Sequence, residues 1–189
     1  MPYYRRTHRY ATRVVGKQKF STFNNSRVIQ PLIPQAGEGS NFTSVILIQN
    51  TAQELAFVPP IMKIKHLKVT IQFPGQMQSI VDNNIATRAY LMFIPEGYDV
   101  LNGSDVDNQG QIVGVIKDHP EWIMQSKAIT FDTLRVATAS FYSRINRNLN
   151  SGDRICLVLL TQWLPNLQGV QKPVNITGTV NFSYATRSN

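Results

Sequence analysis

Residues 144–162, RINRNLNSGDRICLVLLTQ, place turn chemistry directly before an apolar run. In Asn150-Ser151-Gly152-Asp153, Gly and Asn tolerate positive φ, while Asp and Ser bond their own backbone. Ile155-Cys156-Leu157-Val158-Leu159-Leu160 then follows without a polar interruption. That run has the length of one strand, and Ile and Val favour an extended backbone buried on both faces. The spacing predicts a hairpin whose second strand lies in the middle of a β core. The rest of the chain then has to extend and cover that strand.

Residues 43–50 (TSVILIQN) read as a short buried strand, and Pro59-Pro60 breaks the chain after it. In residues 63–73 (KIKHLKVTIQF), Leu67, Val69, Ile71 and Phe73 alternate with His66, Lys68, Thr70 and Gln72. A period of two marks a strand with one wet face. Lys68 and His66 lie on that face, with Lys63 and Lys65 nearby. Such a basic face can line a nucleic-acid-facing surface, or simply keep an exposed face solvated. Residues 87–94 (TRAYLMFI) form another strand, ended by Pro95-Glu96-Gly97. Residues 122–131 read as a strand, or as one helical turn followed by a strand; residues 133–145 read as a strand leading into the hairpin.

The last strand is the cleanest: Val174, Ile176, Val180, Phe182 and Tyr184 keep one phase, Asn175, Thr177, Thr179, Asn181 and Ser183 the other. Gly178 falls on the apolar phase and marks a bulge or a close backbone approach. The penultimate strand is placed only loosely, in residues 162–172, where Pro165, Asn166 and Gly169 favour a loop. Seven or eight strands, long connections, little helix and no internal repeat predict two packed antiparallel sheets, a sandwich or jelly roll.

The net charge of +8 is unevenly distributed. Residues 1–37 contain Arg5, Arg6, Arg9, Arg13, Lys17, Lys19 and Arg27 and no acid, a charge of +7. Residues 38–189 contain the other 12 basic and all 11 acidic residues, a charge of +1. With no sustained period, residues 1–37 read as a basic, largely disordered N-terminal arm and linker, closed by Pro31, Pro34 and Gly37-Glu38-Gly39-Ser40; residues 38–189 read as the folded domain. Tyr3, Tyr4, Tyr10, Phe20 and Phe23 interleave with the cations. Cations neutralise phosphates and aromatic faces stack on unpaired bases, so the seven basic residues of the arm are expected to bind nucleic acid. A nuclear-import signal and a solubilising tail are the other readings.

Several chemistries are excluded. No apolar stretch approaches the roughly 20 residues of a membrane helix, and no signal-peptide core precedes the arm, so a cytosolic or nuclear protein without a membrane partner is expected. Cys156, the lone cysteine, reads as a small buried hydrophobe. His8, His66 and His119 have no ligands at metal spacing. Asp105, Asp107, Gln109 and Gly110 superficially resemble a calcium loop, but Gln109 stands at the fifth position in place of Asp or Asn, and Ile116 stands where a bidentate Glu is needed. No nucleophile elbow, Walker loop or dinucleotide fingerprint occurs. No catalytic residue, metal or cofactor is expected, and the chain reads as a non-enzyme.

Four stretches resemble the single-jelly-roll capsid proteins of small circular single-stranded-DNA viruses that encode a replication initiator, the circovirus-like group: MPYYRRTHRYATR, RAYLMFIPEG, RINRNLNSGDRICLVLL and VNFSYATRSN. The third is the most specific, and the arm is less Arg-dense than the circovirus pattern. The resemblance implies an eight-stranded antiparallel jelly roll of two four-stranded sheets, preceded by an inward-facing basic arm. It also implies an icosahedral shell of about 60 copies (T=1), a virion component assembled in the host nucleus or cytoplasm. Tyr98, Trp122, Tyr142 and Trp163 are then interface candidates, because aromatics are enriched at interface cores, with packing inside the domain as the alternative. About 60 arms supply roughly 420 positive charges, short of the couple of thousand phosphates of a small genome. Lys63, Lys65 and Lys68, or small cations and polyamines, would have to supply much of the rest. The competing expectations are the capsid of a satellite-type RNA virus and a lectin-like jelly-roll binding module.

Overall fold

The apolar run becomes β9 (Arg154–Trp163), a central strand hydrogen-bonded on one side to β3 (Gly39–Gln49) and on the other to β5 (Ile85–Ile94). The computed structural model describes residues 20–30, 32–33, 39–51, 61–74, 85–98, 119–131, 136–144, 146–163, 174–175 and 177–188. The remaining strands are β1 (Ser21–Ile29), β2 (Leu32–Ile33), β4 (Met62–Phe73), β6 (Ile123–Ile129), β7 (Ala137–Ser143), β8 (Arg147–Leu149), β10 (Val174–Asn175) and β11 (Gly178–Ser188). One sheet has the order β1-β11-β4-β7, with β8 also paired to β4; the other has the order β3-β9-β5-β6. A short ribbon joins β10 to β2. Every pairing is antiparallel, and among the eight long strands the chain crosses to the other sheet at each step except from β5 to β6, which are neighbours in one sheet, as in a jelly roll.

Both faces of β9 are covered. Ile155, Leu157 and Leu159 fill the space between the sheets with Leu67, Val69, Ile71, Phe73, Leu91, Phe141 and Val180. Cys156 and Val158 face the other way and pack with Tyr90, Met92, Ile94 and Trp122. A second apolar cluster on the outside of the β3-β9-β5-β6 sheet thus explains the unbroken run.

The predicted hairpin is instead a corner. β8 pairs with β4 in one sheet while β9 pairs in the other, so Asn150-Ser151-Gly152-Asp153 carries the chain between layers. Its chemistry is that of a turn: Gly152 has φ +83°, and the Asp153 amide donates to the Asn150 carbonyl at 3.1 Å. The buried Asp153 carboxylate accepts from the Asn150 amide at 2.8 Å and the Glu96 amide at 3.1 Å. The buried Asn50 amide group donates to the Leu149 carbonyl at 2.9 Å, and the Gly152 amide donates to the Asn50 carbonyl at 2.8 Å. The ends of β3, β5, β8 and β9 therefore meet at one polar node, where buried backbone groups need partners.

A second correction concerns Ser21–Ile29. These residues fall within the stretch read as arm, yet β1 pairs with β11 over nine residues. Only Ile29 is buried, so an edge strand held by backbone pairing leaves no hydrophobic period to read. β1 thus supplies an eighth long strand; β9 runs to Trp163, and residues 164–173, where the sequence loosely places the penultimate strand, lie outside the described residues. Gly39-Ser40, read as linker, opens β3. Residues 120–129 take the second of the two forms expected, a 3-10 turn at Pro120–Trp122 followed by β6. Gly178 is a close approach, since a Cβ there would clash with the Phe73 ring. The calcium-like stretch lies outside the described residues.

Candidate nucleic-acid interface

The outer face of the five-stranded sheet is shaped by a bulge in β4. Ser183 of β11 stands opposite Lys68, but Ala185 stands opposite Lys65, so β4 spends one extra residue there. His66 absorbs it with a φ of +52°. A bulge resets the alternation of a strand. Ile64 and Leu67 are accordingly both buried although three residues apart. Without the bulge, Lys63 and Lys65 would share the phase of Leu67 and Val69. With it, Lys63, Lys65 and Lys68 all project from the outer face.

Around the lysines the face is composed of small polar groups. Register places Asn24, Ser183, Lys68 and Tyr142 in one row, and Ser26, Asn181, Thr70 and Ser140 in the next. Thr70 and Ser140 share a hydroxyl–hydroxyl hydrogen bond at 3.3 Å. A trough of about 600 Å³ runs over Asn24, Ser26, Lys68, Thr70, Asn181 and Ser183. The Lys65 ammonium lies 4.3 Å from the centre of the Phe20 ring, at the point where the basic leader enters β1. Tyr142 is 49 % exposed beside Lys68. Its backbone is held by Gln125 of the other sheet, whose side-chain amide donates to the Tyr142 carbonyl at 2.7 Å and accepts from its N–H at 3.3 Å. That pair staples the β6–β7 edge of the sandwich.

The β1–β3 edge stays open. A groove of about 740 Å³ there is lined by Asn25, Arg27, Ile46, Gln49, Arg154 and Tyr184. Arg27 stands opposite Val180 in the register, so it projects toward the inter-sheet side. The structure therefore separates Arg27 from the three lysines, on opposite sides of one sheet. Arg5, Arg6, Arg9, Arg13, Lys17 and Lys19 lie outside the described residues.

The four aromatic candidates divide. Trp122 is 7 % exposed, stacks on His119 with ring centres 3.9 Å apart, and meets Tyr98 edge-on at 4.7 Å. Its ring packs within its own chain. Tyr98 keeps about half its surface, and its carbonyl accepts from Arg154 Nη2 at 2.9 Å. Tyr142 sits on the lysine face. Trp163 ends β9 opposite Gly39 and Ile85.

Elsewhere, ionisable groups serve the fold. Burial pushes the Cys156 thiol up to about 12. Burial also lowers the pKa of Arg147, which lies 4.4 Å over the Phe93 ring, while the Asp153 charge opposes that shift. A hydrogen bond from His119 holds the exposed Glu121 carboxyl below its ordinary range. Among the described residues no group of His, Cys, Asp or Glu could hold a metal ion. Asn24 and the bulge carried no sequence signal, and Thr70 and Asn181 were legible only as polar positions of two separate strands. Backbone pairing between distant segments brings them together.

No protein-family model matches the chain, and no curated protein matches it. Among solved structures it is similar to the 60-mer BFDV capsid protein, at 10 % identity and a TM-score of 0.43 over 90 % of this chain and 94 % of that one. It is similar to Desmodium yellow mottle tymovirus at 11 % identity and a TM-score of 0.36, over 91 % and 90 % of the two chains. A bacterial lipoprotein from Bacteroides thetaiotaomicron is similar at 12 % identity and a TM-score of 0.36, over 89 % and 84 %. The jelly roll is read from the chain's own strand order.

Proposed function

We propose that the chain is a viral coat protein that self-assembles into a small icosahedral shell of about 60 copies. It packages a circular single-stranded DNA genome through the basic residues ahead of β1. The observation that carries this reading is charge segregation on a jelly roll. Arg5, Arg6, Arg9, Arg13, Lys17 and Lys19 precede the first strand without an acid among residues 1–19, while residues 38–189 are within one charge of neutrality. A near-neutral body packs against copies of itself without strong repulsion, and a cationic leader gathers phosphates by counterion release. The four sequence stretches that resemble circovirus-like capsid proteins support the same reading. In it the protein is a virion component, assembled in the host nucleus or cytoplasm.

Electron micrographs of expressed protein, with the ultraviolet absorbance ratio of the particles, test this. Closed particles of uniform size carrying nucleic acid are expected. Only monomer or trimer at neutral pH and moderate salt overturns the shell. Particles that hold only RNA overturn the assignment of the genome.

A further inference from the structure

Every described strand is free of Asp and Glu. On the outer face of the five-stranded sheet this leaves Lys63, Lys65 and Lys68 without a carboxylate on any strand of that sheet. They stand among amides and hydroxyls, next to one exposed tyrosine ring. We propose that this face is a binding surface for extended single-stranded nucleic acid, distinct from the basic leader and able to work without its charges. The proposal rests on the nucleic-acid part of the function above and not on the shell.

The chemistry of the face selects the partner. Lys63 and Lys65 are two residues apart on one strand, so their stems are about 7 Å apart, and the bulge brings Lys68 into the same line. That row suits a phosphate backbone laid along β4. A plain polyanion would need the cations alone. Asn24 and Asn181 add paired donors and acceptors suited to base edges, and Tyr142 offers a ring face for an unpaired base. The row of lysines also weighs against a protein partner, because interface cores are depleted in lysine. Gln125 fixes the Tyr142 backbone, so the ring is presented from a rigid edge.

The test uses the full-length chain with Arg5, Arg6, Arg9, Arg13, Lys17 and Lys19 changed to Gln. Binding of a fluorescent oligothymidylate is followed by anisotropy across a salt series. Residual binding is expected. Adding Lys63→Gln, Lys65→Gln and Lys68→Gln should reduce the slope of log affinity against log salt by about 2, while the same three positions changed to Arg should preserve it. Tyr142→Leu should weaken binding about tenfold with the slope unchanged. Circular dichroism confirms that each variant is folded.

Loss of all binding in the leader variant overturns the proposal, as does a slope indifferent to the three lysines. Equal affinity for polyaspartate of matched charge overturns it in favour of a general anion surface. If the lysine changes alter only the salt dependence of particle formation, the face docks acidic loops of a second copy and the proposal falls. Particle formation is followed separately by light scattering, so a failure to assemble does not obscure the binding result.

Discussion

Cys156 combines a central position with chemical silence. It lies on the outer phase of β9 at 0 % exposure, between Tyr90, Met92 and Trp122. Its thiol is pushed up to about 12 from an ordinary 9.0, so the folded state holds the thiol proton more tightly than the unfolded state. Stability from this group is complete below about pH 9 and is lost as pH rises toward 12. At pH 8 only about one thiol in 10⁴ is ionised. A thiol reagent should therefore label native protein far more slowly than urea-unfolded protein, and Cys156→Ala should flatten part of the decline in melting temperature above pH 9. His66 is the other residue whose conformation matters. Its φ of +52° costs a side-chain-bearing residue about 1–2 kcal/mol. His66→Gly should hold or raise the denaturant midpoint, and His66→Val should lower stability by about 1–2 kcal/mol.

At the scale of elements, the corner before β9 organises the sandwich because one carboxylate serves two others. Asp153 satisfies amides of both Asn150 and Glu96, so it ties the sheet switch to the end of β5. Asp153→Ala leaves both N–H groups without that acceptor in a part-buried site. The expected loss is about 3 kcal/mol, read as a fall of about 10 °C in calorimetry, with Asp153→Asn milder. The turn residues and the apolar run were legible because both are local signals. The direction of the turn was not: a hairpin and a sheet-to-sheet corner use the same Asn, Gly and Asp. β1 was illegible for a different reason. STFNNSRVI buries one side chain, so its strand identity comes from the partner it pairs with.

For the whole molecule, these elements set where the chain can be cut. Removing residues 1–19 leaves every described strand in place; the truncated protein should assemble normally and retain much less nucleic acid, read from the absorbance ratio of purified particles. Shells of that variant that still hold full-length genome would show that the leader is dispensable. Removing residues 1–29 also strips β1 from β11 and uncovers Phe182 and Val180. That protein should aggregate or fail to form particles in light scattering. The difference between the two cuts measures how much of the basic stretch belongs to the sheet.

Sequence alone determined the β class, the core phase of β4 and β11, the two-sided burial of β9, and the concentration of positive charge ahead of the fold. Periodicity, turn chemistry and charge are properties of neighbouring residues, so they survive without a structure. Only the tertiary structure decided that the corner changes sheets, that β1 pairs with β11 in the jelly roll, and that Lys63, Lys65 and Lys68 share one face, whose described strands carry no acid, while Arg27 does not. Each of those facts depends on which distant backbone pairs with which, and on one bulge that shifts a register by a single residue.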